Sequence, residues 1–171
     1  MSNSNVNIEK SSTEKLSPTF SNITFKMEFK SILNHLLKMY FMYTQNIIQI
    51  QNNKISGLDA VTSGNVVCIL LRTAKYKLVI LNNLLTLNYA LNYAYSFNMN
   101  SNTENLFVNV KDIPSAFLKR EMLLFEMILK ISRKATEESK YNLIEILNSL
   151  IETGIKTMQD DYSTIKKLCQ P

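Results

Sequence analysis

The chain is poor in the residues on which most catalysis at neutral pH depends. Its 171 residues include one histidine, no tryptophan, three glycines, three prolines and two cysteines. A single histidine cannot supply the three or four donors of a typical zinc site, and the sequence has no glycine-rich phosphate loop. The paired Glu-x-x-His motifs of a ferritin-like di-iron site are also missing. We therefore expect a protein that is not an enzyme and that uses no metal or cofactor.

The cysteines and the first residues of the chain bear on its compartment. Cys68 and Cys169 lie far apart without a CxxC motif, which indicates free thiols rather than a disulfide framework. Residues 1–17 are rich in polar side chains and contain no apolar stretch of the secretory kind. The sequence predicts an intracellular, cytoplasmic protein with a disordered tail at residues 1–20 and a single domain at residues 21–171.

Four segments carry apolar residues at the three- and four-residue spacing of an amphipathic helix. The first begins near Phe25 and ends at residues 51–57, where Gly57 suits a left-handed turn. The second extends from Asp59 or Ser63 to about Asn98. Because this segment is apolar nearly all round, we expect it in the middle of a bundle, with leucines facing inward that include Leu71, Leu78, Leu81 and Leu85.

The third predicted helix extends from about Pro114 to Lys134, and Thr136 is predicted to cap a fourth, with Glu137 and Glu138 in its first turn. Gly154 indicates a bend or a close helix crossing. The predicted fold is all-α: a bundle of about four long antiparallel helices with an apolar central second helix.

Charge is unevenly distributed along the chain. No acidic residue occurs from Ala60 to Thr103, and the only charges there are Arg72, Lys75 and Lys77. Cations beside an aromatic ring, here Tyr76, are a feature of single-stranded nucleic-acid binding. Three charges are few for this purpose, so the sequence favours a solvent-exposed stripe on a buried helix. A nucleic-acid site at these four residues is the alternative.

Other polar residues have ordinary structural interpretations. His35 lies on or beside the apolar stripe of the first helix and has no second ligand or catalytic partner in the pattern, so we interpret it as structural. The adjacent pairs Glu137–Glu138 and Asp160–Asp161 point to different sides of a helix and are predicted to face solvent. The uncharged residues 78–97 are long enough for a membrane span, but their asparagines argue against one.

A tandem repeat, LNYALNYA at residues 87–94, precedes an asparagine-rich segment. Aromatic and methionine side chains are common in helical cores and are also enriched at protein interfaces. Because the asparagine-rich segment follows directly, we predict a partner-binding surface at Tyr89, Tyr93, Tyr95, Phe97 and Met99.

These patterns favour a non-enzymatic helical-bundle protein that binds a protein partner or a second copy of itself. The abundance of Asn, Ile and Lys is typical of a viral or other AT-rich genome. Two alternatives are open: a capsid-like or silencing-suppressor-like protein that binds nucleic acid, and a membrane-associated helical protein. No small-molecule substrate is implied.

Overall fold

The computed structural model describes residues 18–90, 107 and 109–170, and the side chains of all of these except 18–24 and 88–90. These residues form four long helices: α1 (Pro18–Gln51), α2 (Ala60–Ala90), α3 (Ile113–Glu137) and α4 (Tyr141–Cys169). A 3-10 helix at Val110–Asp112 precedes α3, and no strand occurs in the described part of the chain. The predicted all-α four-helix bundle is confirmed. The predicted tail, apart from its last three residues, lies outside the described residues.

The α1–α2 turn is built as its sequence indicates. Gly57 adopts a left-handed φ of 85°, where a side chain would be strained. The Asp59 carboxylate then caps α2 by accepting hydrogen bonds from the backbone N–H groups of Val61 at 2.9 Å and Thr62 at 3.0 Å. A turn residue and a capping residue therefore fix where α2 begins.

The predicted boundary between α3 and α4 is wrong. The Thr136 hydroxyl donates a hydrogen bond at 3.0 Å to the Ser132 carbonyl one turn earlier, so Thr136 continues α3 instead of capping a new helix. The chain turns at Ser139, whose φ is 56°. Glu137 therefore belongs to the last turn of α3, and α4 begins at Tyr141.

Polar contacts between the helices establish their directions. Glu28, early in α1, pairs with Lys134, late in α3, whereas Tyr43, further along α1, bonds Glu121, earlier in α3. Helices α1 and α3 are therefore antiparallel, and the short connections make α1–α2 and α3–α4 antiparallel hairpins. The main packing interfaces join α1 to α2, α2 to α4, α4 to α3 and α3 to α1. The helices thus form a ring in the order α1, α2, α4, α3.

In this ring, α2 packs against α1 and α4, and the surface of α2 that points away from the bundle is not covered by another helix. Leu81 and Leu84 are buried, but Leu71 and Leu78 are exposed, so their predicted inward positions are wrong. A helix that is apolar all round cannot bury its whole surface when only α1 and α4 pack against it. The second helix forms one side of the ring, and part of its apolar surface faces outward.

Candidate functional site

The four residues of the predicted basic cluster lie in different environments. Lys77 is 1% exposed and donates a hydrogen bond to Glu121 of α3. Arg72 pairs with Asp161 of α4, Tyr76 is half-buried, and Lys75 is exposed. The interpretation of these residues as a solvent-exposed stripe is therefore wrong for Lys77, which follows the buried Thr73 by one turn. The four side chains do not form one cationic surface.

A hydrogen-bonded group of three side chains lies inside the bundle. Glu121 accepts a hydrogen bond from the Tyr43 hydroxyl at 2.7 Å on one oxygen and from the Lys77 ammonium on the other. All three side chains are buried. Burial, together with the neighbouring Glu121 charge, raises the pKa of Tyr43 well above its usual value, so its hydroxyl remains a donor. The carboxylate thus has partners on both oxygens, as a buried charge requires.

A second buried carboxylate, Asp161, lies close to this group. It accepts hydrogen bonds from Arg72 and from the Thr73 hydroxyl, the latter at 3.0 Å. The predicted solvent exposure of Asp161 is therefore wrong. Its spacing gives the signal that sequence reasoning missed, because Asp161 lies three residues after buried Met158 and four before buried Ile165.

Glu121 carries the same signal in α3. It follows buried Phe117 by four residues and precedes buried Leu124 by three, so it occupies an inward position of the helical pattern. A carboxylate at such a position predicts a buried partner, and the structure provides Lys77. The polar centre therefore takes one residue from each helix: Tyr43, Lys77, Glu121 and Asp161.

The space beside these residues is small. A cavity of about 10 Å³ is bounded by the two carboxylates and by residues that include Tyr76, Gly154 and Met158. This volume is close to the smallest that admits one water molecule. Within the described residues, no three His, Cys, Asp or Glu side chains are grouped as metal ligands would be. Among the described residues, the geometry is that of a polar centre in a bundle core, beside a cavity that could hold about one water molecule.

His35 is partly buried on α1. Its Nε2 atom is buried without a hydrogen-bond partner. Burial, with the charges of Lys38 and Lys77 adding to it, lowers the pKa of His35 to about 4. The imidazole is therefore neutral at physiological pH and contributes no charge to this side of α1.

The outward surface of the α1–α2 hairpin carries large apolar side chains. Phe41 is 42%, Ile48 50%, Leu71 45% and Leu78 38% exposed. The members of each pair are one heptad apart, so they share a side of their helix. Glu28 marks the side of α1 that faces α3, and Phe41 and Ile48 lie roughly 140° and 160° around the helix from it. They therefore lie on the side of α1 that points away from α3.

The same reasoning places the two leucines of α2. Tyr76 marks the side toward α4, because its hydroxyl lies 3.7 Å from the position that a Cβ at Gly154 would take. Leu71 and Leu78 lie roughly 140° and 160° around the helix from Tyr76, on the side of α2 that points away from α4. The exposed side chains Phe41, Ile48, Leu71 and Leu78 thus lie on the outward surface of the α1–α2 hairpin, away from α3 and α4. We name these four residues the seam face.

Charge distinguishes this hairpin from the rest of the protein. Residues 18–90 contain seven basic and two acidic residues, which are Lys26, Lys30, Lys38, Lys54, Arg72, Lys75 and Lys77 against Glu28 and Asp59. Glu28 is held by Lys130 at 2.9 Å and Lys134 at 2.7 Å on α3. Asp59 is at the hairpin turn. Lys38 and Lys75 are exposed on α1 and α2.

The other hairpin has a different outer surface. Helix α3 exposes Met122, Leu123 and Leu129, and the exposed residues of α4 after Tyr141 are polar. Residues 111–171 contain ten basic and nine acidic residues, so their charges nearly balance. The combination of exposed apolar groups with an excess of positive charge therefore belongs to the α1–α2 hairpin.

The predicted aromatic surface is not part of this description. Tyr93, Tyr95, Phe97 and Met99 lie outside the described residues, and Tyr89 lies in α2 with its side chain undescribed. Their role in partner binding stays a prediction. Among the helices that the structure describes, none combines the length and hydropathy needed to cross a membrane.

Comparison with known proteins gives no match: no family model, no curated protein and no solved structure matches this chain.

Proposed function

We propose that this protein is a non-enzymatic binding protein that receives a protein partner on the seam face of its α1–α2 hairpin. The observation that carries the proposal is the outward exposure of Phe41, Ile48, Leu71 and Leu78 on this hairpin. Apolar surface gains about 25 cal/mol for each Å² removed from water, so a partner that covers these groups is stabilised there. A second copy of the chain is one candidate for this partner.

The polar centre supports the non-enzymatic part of the proposal. Its carboxylates are bonded to Lys77, Tyr43, Arg72 and Thr73, and the adjoining cavity has a volume of about 10 Å³. Catalysis requires a pocket in which the reacting atoms of a substrate lie next to the catalytic groups. The buried charged groups are better explained as hydrogen-bonded contacts that hold the four helices in one arrangement.

Paired substitutions test the seam face. Phe41→Glu with Leu71→Glu places two charges on it, whereas Met122→Glu with Leu129→Glu makes the same change at similarly exposed positions of α3. Sedimentation velocity measures self-association, and affinity capture from the cells that express the protein measures bound partners. We expect the seam variant to lose association and the α3 variant to keep it. Equal behaviour of the two variants in both assays contradicts the proposal.

Nucleic-acid binding is the second candidate, favoured by the excess of basic residues on the α1–α2 hairpin. Its test avoids Lys77, because removing that buried charge would disturb folding. Lys38→Glu with Lys75→Glu reverses two exposed charges instead. If the protein purifies with a raised ratio of absorbance at 260 and 280 nm and this variant lowers it, nucleic acid replaces protein as the proposed partner.

A further inference from the structure

At one end of the bundle, the α1–α2 turn, the 3-10 helix before α3 and the end of α4 come together. The turn contacts the 3-10 helix through the Val110 N–H, which donates a hydrogen bond at 3.2 Å to the Ser56 carbonyl. The 3-10 helix contacts the end of α4, where the Gln170 side chain donates a hydrogen bond at 3.3 Å to the Lys111 carbonyl. These contacts place three segments that are distant in the sequence on one surface.

This surface carries four lysines. Lys54 lies in the turn, Lys111 in the 3-10 helix, and Lys166 and Lys167 in the last turn of α4, and all four are exposed. We name these four residues the basic end. None of them forms an ion pair within the described part of the chain. Their ammonium groups are therefore available to a partner.

Two carboxylates on the same surface leave an excess of positive charge. The Asp59 carboxylate is already bonded to two backbone N–H groups and one hydroxyl of α2. Asp112 is exposed and makes no capping hydrogen bond with its side chain. Residues 52–59, 109–112 and 166–170 together contain four basic and two acidic residues. This end of the bundle therefore attracts anions.

An apolar side chain projects beside these charges. Val61, the second residue of α2, is 75% exposed. Among the aromatic side chains described at this end, none is exposed. Single-stranded nucleic acid binds aromatic rings on which its bases stack. Proteins that bind a membrane surface instead combine basic residues with apolar side chains that enter the lipid interface. The composition of this end therefore favours lipid over nucleic acid.

We infer that the basic end docks onto the surface of a membrane that contains anionic lipids. The lysines contact the charged headgroups, and Val61 enters the boundary between headgroups and acyl chains. Each lysine held near such a surface strengthens binding roughly fivefold. The inference is independent of the proposed function, because the seam face takes no part in it.

Vesicle co-sedimentation with the full chain tests this inference. One set of vesicles contains phosphatidylcholine and phosphatidylserine at about two to one, and the control set is pure phosphatidylcholine. We expect the protein to bind the anionic vesicles at least roughly tenfold more tightly at low salt, and the difference to shrink as salt rises.

Matched lysine variants locate the contact. Lys54→Gln with Lys111→Gln removes two charges from the basic end, whereas Lys75→Gln with Lys156→Gln removes two exposed charges from the middle of α2 and α4. We expect the first variant to bind anionic vesicles about 25-fold more weakly than the original chain, and the second to change binding by less than about threefold.

A second pair of variants tests the apolar contact. Val61→Ser should weaken binding by roughly tenfold, because the two methyl groups no longer enter the lipid interface. Val79→Ser makes the same change at a 54% exposed position in the middle of α2 and should leave binding unchanged. Circular dichroism confirms that every variant keeps its helical content.

Four results overturn the inference. Anionic vesicles fail to bind the protein, the two lysine variants lose binding equally, or Val61→Ser binds as tightly as the original chain. The fourth is a fluorescent single-stranded oligonucleotide that binds more tightly than the vesicles and is lost by the Lys54 and Lys111 variant, which makes nucleic acid the partner of this end. The seam-face variants are measured by sedimentation velocity and capture, so failure here leaves the proposed function standing.

Discussion

At the scale of single residues, the feature with the highest cost in free energy is the ion pair of Lys77 and Glu121 inside the bundle. Removing both charges from water is costly, and the pair is tolerated because Tyr43 supplies a further hydrogen bond to the carboxylate. The inward spacing of Glu121 is visible in the sequence. The identity of its partner is not, because Lys77 lies on another helix and the pairing depends on tertiary packing.

We expect a large loss of stability when one member of this pair is removed. Lys77→Met leaves the Glu121 carboxylate buried without its cation, which should reduce the free energy of unfolding by about 3–5 kcal/mol. The double substitution Lys77→Met with Glu121→Met removes both charges and should recover most of that loss. Urea unfolding of the three proteins measures both changes. A single variant as stable as the original chain would show that the pair is not buried.

His35 gives the protein an expected dependence on pH. Burial lowers the pKa of His35 to about 4 in the folded chain, whereas an unfolded histidine has a pKa of about 6.5. The unfolded chain therefore binds the proton more tightly, and the stability that neutral His35 contributes is complete above about pH 6.5 and lost as the pH falls toward 4.

The loss should be on the order of 3 kcal/mol between pH 7 and pH 4, relative to a His35→Leu variant. Denaturant unfolding across this range measures it. Stability curves that stay parallel for the two proteins would argue against a buried neutral imidazole.

At the scale of helices, the two hairpins are built differently. Helices α3 and α4 bury one apolar side, and α4 turns polar residues outward. Helices α1 and α2 both carry exposed large apolar residues, whereas in the other hairpin only α3 does so beyond Tyr141. Periodicity therefore predicted all four helices but misplaced Leu71 and Leu78, since a helix that is apolar all round gives no signal of which side its neighbours cover.

Substituting alanine for the glycine of α2 and for the glycine of α4 should change the stability of the protein in opposite directions. Gly64 is exposed with open space around it, so Gly64→Ala should stabilise the chain by about 0.5–1 kcal/mol through helix propensity. At Gly154 a Cβ would lie 2.6 and 2.7 Å from ring carbons of Phe125. Gly154→Ala should therefore destabilise by about 1–3 kcal/mol, because the buried Phe125 ring must move out of its packed position. Denaturant midpoints that shift in the same direction would contradict this packing.

Two leucines of α2 distinguish its inner and outer sides. Leu81 is buried, and Leu81→Ala should cost about 2–5 kcal/mol of unfolding free energy. Leu78 is exposed on the seam face, and Leu78→Ala should cost less than about 1 kcal/mol. Equal losses in chemical unfolding would mean that the seam face is covered in the isolated chain.

At the scale of the whole molecule, local patterns predicted more of the fold than of the candidate site. Helical spacing, Asp59 and Gly57 are local signals, and they indicate the helices and the first turn. After α2 the chain returns to α1, where the Phe107 N–H donates a hydrogen bond at 2.9 Å to the Asn46 side chain. The ring order α1, α2, α4, α3 depends on this return. Long-range pairing of this kind has no local signature, so the seam face is visible only in the assembled bundle.

The most direct test of this account is the reactivity of Cys68 when the protein is bound. Cys68 is exposed on α2 one turn before Leu71, whereas Cys169 is buried and its burial raises the pKa of the thiol to about 11. Thiol labelling followed by mass spectrometry therefore reports Cys68 first. The account predicts that a bound partner slows labelling of Cys68 and leaves a thiol introduced by Met122→Cys unaffected. Unchanged labelling of Cys68 with protection at position 122 would contradict it.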